Sequence, residues 1–181
     1  MMARNEKRYR LGRVLITEEE IRGRAAEIGR RISEDFAGEE ILAVGILKGA
    51  VLWMSDVVKN ISLPVRLDFM AVSSYGASTQ SSGVVRILKD LDSAIEGKNI
   101  LLVEDIVDSG TTLNYLREVL LHREPKALRI CALLDKPTGR RVAIRADYVG
   151  FTVEDMFIVG YGLDVNQRYR NLPYITSVEE A

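Results

Sequence analysis

At 181 residues the chain is about one domain long, and a chain of this size buries about 70% of its unfolded surface without a disulfide or metal staple. Lys and Arg number 25 against 26 Asp and Glu, and the resulting charge of −1 excludes a protein that holds nucleic acid by charge alone. A 47% hydrophobic, 28% charged composition excludes disorder, and one cysteine, Cys131, excludes an internal disulfide or a cysteine-cluster metal site.

Residues 1–16 are rich in basic side chains and read as a loosely held arm or short edge strand. Residues 1–13 are charged, contain no apolar core and do not read as a signal peptide. Thr17 and Glu20 form a capping box, and Ile21, Ala25, Ile28 and Ile32 recur at helical spacing, so a helix is predicted over 17–36 with Gly38 as its stop. Residues 41–47 are an apolar run short enough for a buried strand. Residues 50–60 read as a helix, with Trp53 and Met54 on a packed face. Strands are predicted at 65–72, 84–88, 100–103, 128–134, 148–151 and 157–159, a helix at 111–121, and a polar Ser/Gly-rich loop at 73–83. No run reaches the roughly 18 apolar residues of a membrane helix, so a cytoplasmic protein that contacts neither membrane nor nucleic acid is expected. Cys131 lies in an apolar run and reads as a buried small hydrophobe. His122, near a helix end, reads as a surface histidine.

Strands alternating with helices predict an α/β fold with a mostly parallel, twisted sheet flanked by helices. In such sheets ligands sit at the carboxyl ends of the strands. The loop expected after residue 103 reads Glu104-Asp105-Ile106-Val107-Asp108-Ser109-Gly110-Thr111-Thr112. From Asp108 to Thr112 it offers a glycine, hydroxyls and the free N–H groups of a helix start, which suit a phosphate monoester. An ordinary helix cap of Asp or Ser followed by Thr uses the same residues equally well. Glu104 and Asp105 tip the balance. Adjacent carboxylates at the end of an apolar strand need a partner, and vicinal hydroxyls or Mg²⁺ supply one. No Gly-x-x-x-x-Gly-Lys-Ser/Thr loop and no Gly-x-Gly-x-x-Gly after a strand is present, which excludes a P-loop hydrolase and a dinucleotide-binding domain.

The segment 103–112 resembles the ribose-phosphate signature of type I phosphoribosyltransferases. Gly45-Ile46-Leu47-Lys48-Gly49-Ala50, Val72-Ser73-Ser74-Tyr75-Gly76, Leu133-Leu134-Asp135-Lys136, Phe157-Ile158-Val159-Gly160-Tyr161-Gly162-Leu163-Asp164 and Tyr169-Arg170-Asn171-Leu172-Pro173 narrow the resemblance to the hypoxanthine(-guanine) phosphoribosyltransferase family. The resemblance implies one domain over 1–181, with a core at about 37–160 and a small hood from about 1–16 and 161–181. It implies transfer of 5-phosphoribosyl from 5-phosphoribosyl 1-pyrophosphate to hypoxanthine or guanine with Mg²⁺, in a homodimer or homotetramer.

By the same resemblance, Asp108, Ser109, Gly110, Thr111 and Thr112 cradle the 5′-phosphate, and Asp108 is the general base. Glu104 and Asp105 hold the ribose, and with Asp164 they hold metal. Lys48, Gly49 and Arg170 take pyrophosphate, with a cis peptide before Lys48 in many relatives. Lys136, Phe157, Ile158 and Asp164 take the purine, Lys136 favouring a 6-oxo over a 6-amino group because an ammonium only donates. Ser74 and Tyr75 belong to a lid over 73–83, and Tyr75→Ala is expected to lower turnover more than stability. Arg140-Arg141 reads first as a solvated turn, although Arg140 lies close enough to Lys136 to help hold pyrophosphate. Thr111 departs from those relatives that carry Lys there, so phosphate contacts at this position rest on backbone. The same fold also serves nucleotide-sensing RNA-binding regulators and xanthine-preferring enzymes. Lys136 and segment 157–164 suit a purine better than uracil, but Lys136 does not separate xanthine from guanine.

Overall fold

The computed structural model describes residues 9–74 and 85–180. The first strand, β1 (Tyr9–Ile16), leads into α1 (Glu18–Asp35), whose capping box forms as the sequence requires. The Thr17 N–H donates to Glu20 Oε2 at 2.8 Å, and the Glu20 N–H donates to Thr17 Oγ1 at 3.3 Å. Next come β2 (Ile41–Leu47), α2 (Val51–Val58), β3 (Val65–Ser74), β4 (Val85–Lys89) and β5 (Asn99–Val107). The chain then forms α3 (Thr111–Leu121), β6 (Ala127–Asp135), β7 (Tyr148–Thr152), β8 (Ile158–Val159) and β9 (Ile175–Glu180).

Six strands form one sheet in the order β4-β3-β2-β5-β6-β7, parallel except for the antiparallel β3–β4 edge. The central strands are apolar on both faces because both faces are covered. One face packs Ile41, Ala43, Leu101, Val103, Cys131 and Leu133 under α1 and α2. The other packs Leu42, Val44, Ile100, Leu102 and Ile130 under α3. On α1, Ile21, Ala25, Ile28 and Ile32 are buried, and each isoleucine contributes about 1.5–3 kcal/mol. Trp53, Met54 and Cys131 are core residues, as expected. His122 caps α3, its Nδ1 lying 2.7 Å from the Glu118 carbonyl.

After β2 the chain adds β3 on one side and later β5 on the other, with α2 and α3 on opposite faces. The strand order therefore reverses between β2 and β5, where a crevice opens at the carboxyl ends of the strands.

Two differences from the sequence reading matter. The strand predicted at 100–103 runs on to Val107, because the parallel ladder with β6 continues through Ile106↔Leu134 and Val107↔Asp135. The acidic pair therefore lies inside a strand rather than in a loop. The C-terminal β9, not predicted, pairs antiparallel with both β1 and β8 in a separate three-stranded sheet. Its partners lie more than 150 residues away in one case, beyond the reach of local pattern. The lid expected at 73–83 falls outside the described residues apart from Ser73 and the backbone of Ser74, and Tyr75 lies outside them.

Candidate active site

At the carboxyl edge of the large sheet, the turn after β2, the end of β5 and the end of β6 meet the loop between β8 and β9. The β5–α3 junction carries Asp108, Ser109 and Gly110. Gly110 is the N-cap of α3 at φ +80°, a conformation that costs a residue with a β-carbon roughly 1–2 kcal/mol. A β-carbon there would also meet Ile144 Cγ2 at 2.6 Å. No side chain caps this helix, contrary to the Asp or Ser cap that the sequence alone allowed. The first intrahelical bond is Asn114 N–H to the Gly110 carbonyl at 2.8 Å, and Thr111 N–H has only a long contact to Ser109 Oγ at 3.4 Å. Orphan N–H groups thus face a concavity of about 170 Å³ lined by Glu104, Asp108, Ser109, Gly110 and Thr112 among others.

Arg140 buttresses this cradle from behind. Its guanidinium donates to the carbonyls of Asp108 (3.0 Å), Val107 (3.1 Å) and Ile144, and pairs with the Asp135 carboxylate. These partners and a side chain only 17% exposed correct the solvated turn expected at Arg140, which instead shapes the loop. The N–H groups of Arg141 and Val142 bond the Ser109 carbonyl at 2.9 and 3.3 Å and complete the buttress. A wider cleft, about 830 Å³, opens beyond Arg140 between α3 and the segment before β7. It touches none of Glu104, Asp105, Asp108 or Lys136.

Because successive strand residues point to opposite faces, Glu104 and Asp105 diverge. Glu104 lines the phosphate-side concavity. Asp105 lies against Gly49, where an added β-carbon would overlap its carboxylate. Burial and the neighbouring Asp105 charge push the Glu104 pKa well above the ordinary carboxylate range. Burial likewise raises that of Asp105, against the bonds from backbone N–H groups and the charge of Arg170, with Asp164 adding a further push upward.

Asp105, Arg170 and Asp164 form one electrostatic neighbourhood beside the Leu47-Lys48-Gly49 turn, whose Leu47–Lys48 peptide is cis. Arg170 pairs with Asp164 at 2.6 Å and donates to the Gly162 carbonyl at 2.6 Å. Its Nε is buried with no partner among the described residues. Lys48 Nζ donates to Gln167 Oε1 at 3.2 Å, which brings the two cations to one amide; Arg170 reaches the same oxygen at 3.4 Å. Asn166, Gln167 and Tyr169 all have positive φ (52°, 64° and 74°), so this loop is strained. The sequence reading missed Gln167, since nothing local marks it.

On the β6 side, Lys136 Nζ lies 3.3 Å from Asp108 Oδ2 and 3.1 Å from Asp155 Oδ1. Phe157, two residues beyond Asp155, is 54% exposed, while Ile158 is buried in β8. Asp155 was also missed, because a carboxylate in a polar loop carries no pattern of its own. Ser74 ends β3, and its side chain is outside the described residues.

Residues 16–166 match the family described as Phosphoribosyl transferase domain. A hypoxanthine-guanine phosphoribosyltransferase from Bacillus subtilis (strain 168) is 51% identical over 96% of this chain and 97% of its own length. The chain is 52% identical to the bifunctional protein TilS/HprT of Listeria innocua, of which it spans about a quarter (25%), over 90% of its own length. The crystal structure of a hypoxanthine phosphoribosyltransferase from Staphylococcus aureus superposes with a TM-score of 0.90 at 47% identity, covering 93% of this chain and 92% of that one. The uncapped helix start, the acidic pair and this likeness across nearly the whole length lead to one conclusion: the chain belongs to the phosphoribosyltransferase family and, within it, to the hypoxanthine(-guanine) phosphoribosyltransferases.

Proposed function

We propose that this protein transfers 5-phosphoribosyl from 5-phosphoribosyl 1-pyrophosphate to hypoxanthine or guanine, giving inosine or guanosine monophosphate and pyrophosphate. The observation that carries the reading is the placement of Asp108. It sits between an uncapped helix start suited to a phosphate and an ammonium, Lys136, suited to a 6-oxo group.

The roles follow from position. The orphan N–H groups around Gly110, Thr111 and Thr112, with the hydroxyl of Ser109, bind the 5′-phosphate. Glu104 and Asp105 flank the ribose, and their negative charge stabilises the cationic sugar as the anomeric C–O bond breaks. The electron pair of that bond leaves on pyrophosphate, where Lys48, the Gly49 backbone and Arg170 receive it, the Arg170 Nε having no other partner among the described residues. The purine ring nitrogen forms the new bond to the anomeric carbon, and Asp108 accepts the proton from the other imidazole-ring nitrogen. Phe157 stacks on the purine, and backbone groups near Ile158 meet its far edge.

The donor set fits Mg²⁺, which is held by one or two carboxylates together with phosphate oxygens. Half-buried Asp105 and neighbouring Asp164 would hold an ion on the pyrophosphate side, whereas Glu104, on the opposite face of the strand, lies apart from that pair. Bound there, the ion supplies charge neutralisation for the leaving group.

Val51, Leu52, Leu67 and Leu88 are exposed apolar residues on α2 and the β3–β4 edge, and support a homodimer or homotetramer through this face. No helix among the described residues is long and apolar enough to cross a membrane, which suits the cytoplasmic location proposed.

The test is product formation from 5-phosphoribosyl 1-pyrophosphate and Mg²⁺ with hypoxanthine, guanine, xanthine and adenine in turn, beside Asp108→Ala. Turnover with the first two, little with adenine and a loss of about 10²–10⁴-fold in the variant are expected. Tight nucleotide binding without turnover on any base would overturn the reading.

A further inference from the structure

An ammonium has three N–H donors and no acceptor. In this site Lys136 Nζ is ion-paired with two carboxylates, Asp108 Oδ2 at 3.3 Å and Asp155 Oδ1 at 3.1 Å. The lysine side chain is 14% exposed, so few other geometries are open to it, whereas Asp155 is 69% exposed. The two carboxylates come from different parts of the fold, Asp108 from the β5–α3 junction and Asp155 from the loop before β8. We infer that Asp155 is a positioning residue for 6-oxopurine binding: it holds Lys136 between two carboxylates so that the third N–H points at the purine oxygen. This rests on the purine phosphoribosyltransferase reading above.

Without Asp155 the ammonium has one carboxylate left, that of Asp108, and moves toward it. That movement takes the donor from the purine oxygen and also engages the group meant to accept the purine's imidazole proton. The loss therefore falls on the base and spares 5-phosphoribosyl 1-pyrophosphate, whose groups lie around Gly110 and Gly49. An exposed carboxylate contributes little to folding, so the effect is one of aim rather than stability.

Steady-state kinetics with both substrates varied, together with thermal unfolding, test this on Asp155→Asn, Asp155→Ala and Asp155→Glu. For Asn and Ala the KM for hypoxanthine is expected to rise about five- to tenfold, the size expected for a lost charge-assisted hydrogen bond. The KM for 5-phosphoribosyl 1-pyrophosphate and the Tm should stay at wild-type values, and Glu should recover most of the loss. An unchanged KM for hypoxanthine, in a wild type that turns over, would overturn this inference and leave the proposed reaction standing. A parallel rise in both KM values with a lowered Tm would also overturn it, by showing a merely structural role. Absence of turnover in the wild type would overturn the reaction and this inference together.

Discussion

The carboxylate of Asp105 rests against the α-carbon of Gly49, joining the end of β5 to the turn after β2 across the point where the strand order reverses. No room exists between them for a side chain, so Gly49→Ala must push Asp105 away from the pyrophosphate side. We expect the variant to fold and its KM for 5-phosphoribosyl 1-pyrophosphate to rise at least about tenfold, with a smaller effect on the KM for hypoxanthine. Equal effects on both substrates would contradict this placement of Asp105.

Glu104 is buried, and its pKa is raised by desolvation and by the Asp105 charge. An acid whose folded pKa lies above its unfolded value, about 4.3, makes the fold less stable as pH climbs through that interval. Glu104→Gln removes this cost. The variant should lose turnover yet gain Tm at pH 8, where the wild-type group bears the cost of a buried charge. At pH 4.5 the gain should vanish, because the wild-type carboxyl is then protonated. Unfolding scans at the two pH values decide it, and an equal gain at both would refute the desolvation argument.

Arg140 donates to three carbonyls on two segments and pairs with Asp135, its side chain only 17% exposed. Arg140→Met retains the stem and removes every donor. Denaturant unfolding should show a loss of about 2–3 kcal/mol. The residual enzyme should bind 5-phosphoribosyl 1-pyrophosphate more weakly, since the Asp108–Gly110 backbone is no longer braced.

Tyr161, buried in the Gly160-Tyr161-Gly162 turn, donates its hydroxyl to Asp56 on α2, and Asp56 also pairs with Lys59 at 2.5 Å. Tyr161→Phe should cost about 1 kcal/mol, since Asp56 keeps its lysine. Turnover should remain within about twofold of wild type. A large drop in turnover at unchanged Tm would place Tyr161 in the chemistry instead.

The elements that the sequence reading placed best are those whose signals are local. The capping box at Thr17 and Glu20, the recurrence of apolar positions three and four residues apart on α1 and the apolar run of β2 each lie within a single helix or strand. The motif from Asp108 to Thr112 was legible for the same reason: a strand, a glycine and a helix start are contiguous. The end of β5 was misjudged because hydrophobicity stops at Val103, while the ladder to β6 does not. Polar residues remain in a strand when the neighbouring backbone satisfies theirs, and no single-segment pattern reports that.

By itself the sequence determined the order of strands and helices as far as β8, the absence of a disulfide framework and, from Asp108 to Thr112, a stretch of residue types suited to a phosphate. These follow from spacing, capping and chemistry carried within a few neighbouring residues. Only the tertiary structure decided that Glu104 and Asp105 face opposite sides of the sheet. It also decided that Arg140 supports the loop from Asp108 to Gly110, that Gln167 links Lys48 to Arg170, and that Asp155 shares Lys136 with Asp108. Each depends on a contact between strand ends or loops far apart in the chain, set by sheet order and register, and such contacts exist only once the core beneath them has packed.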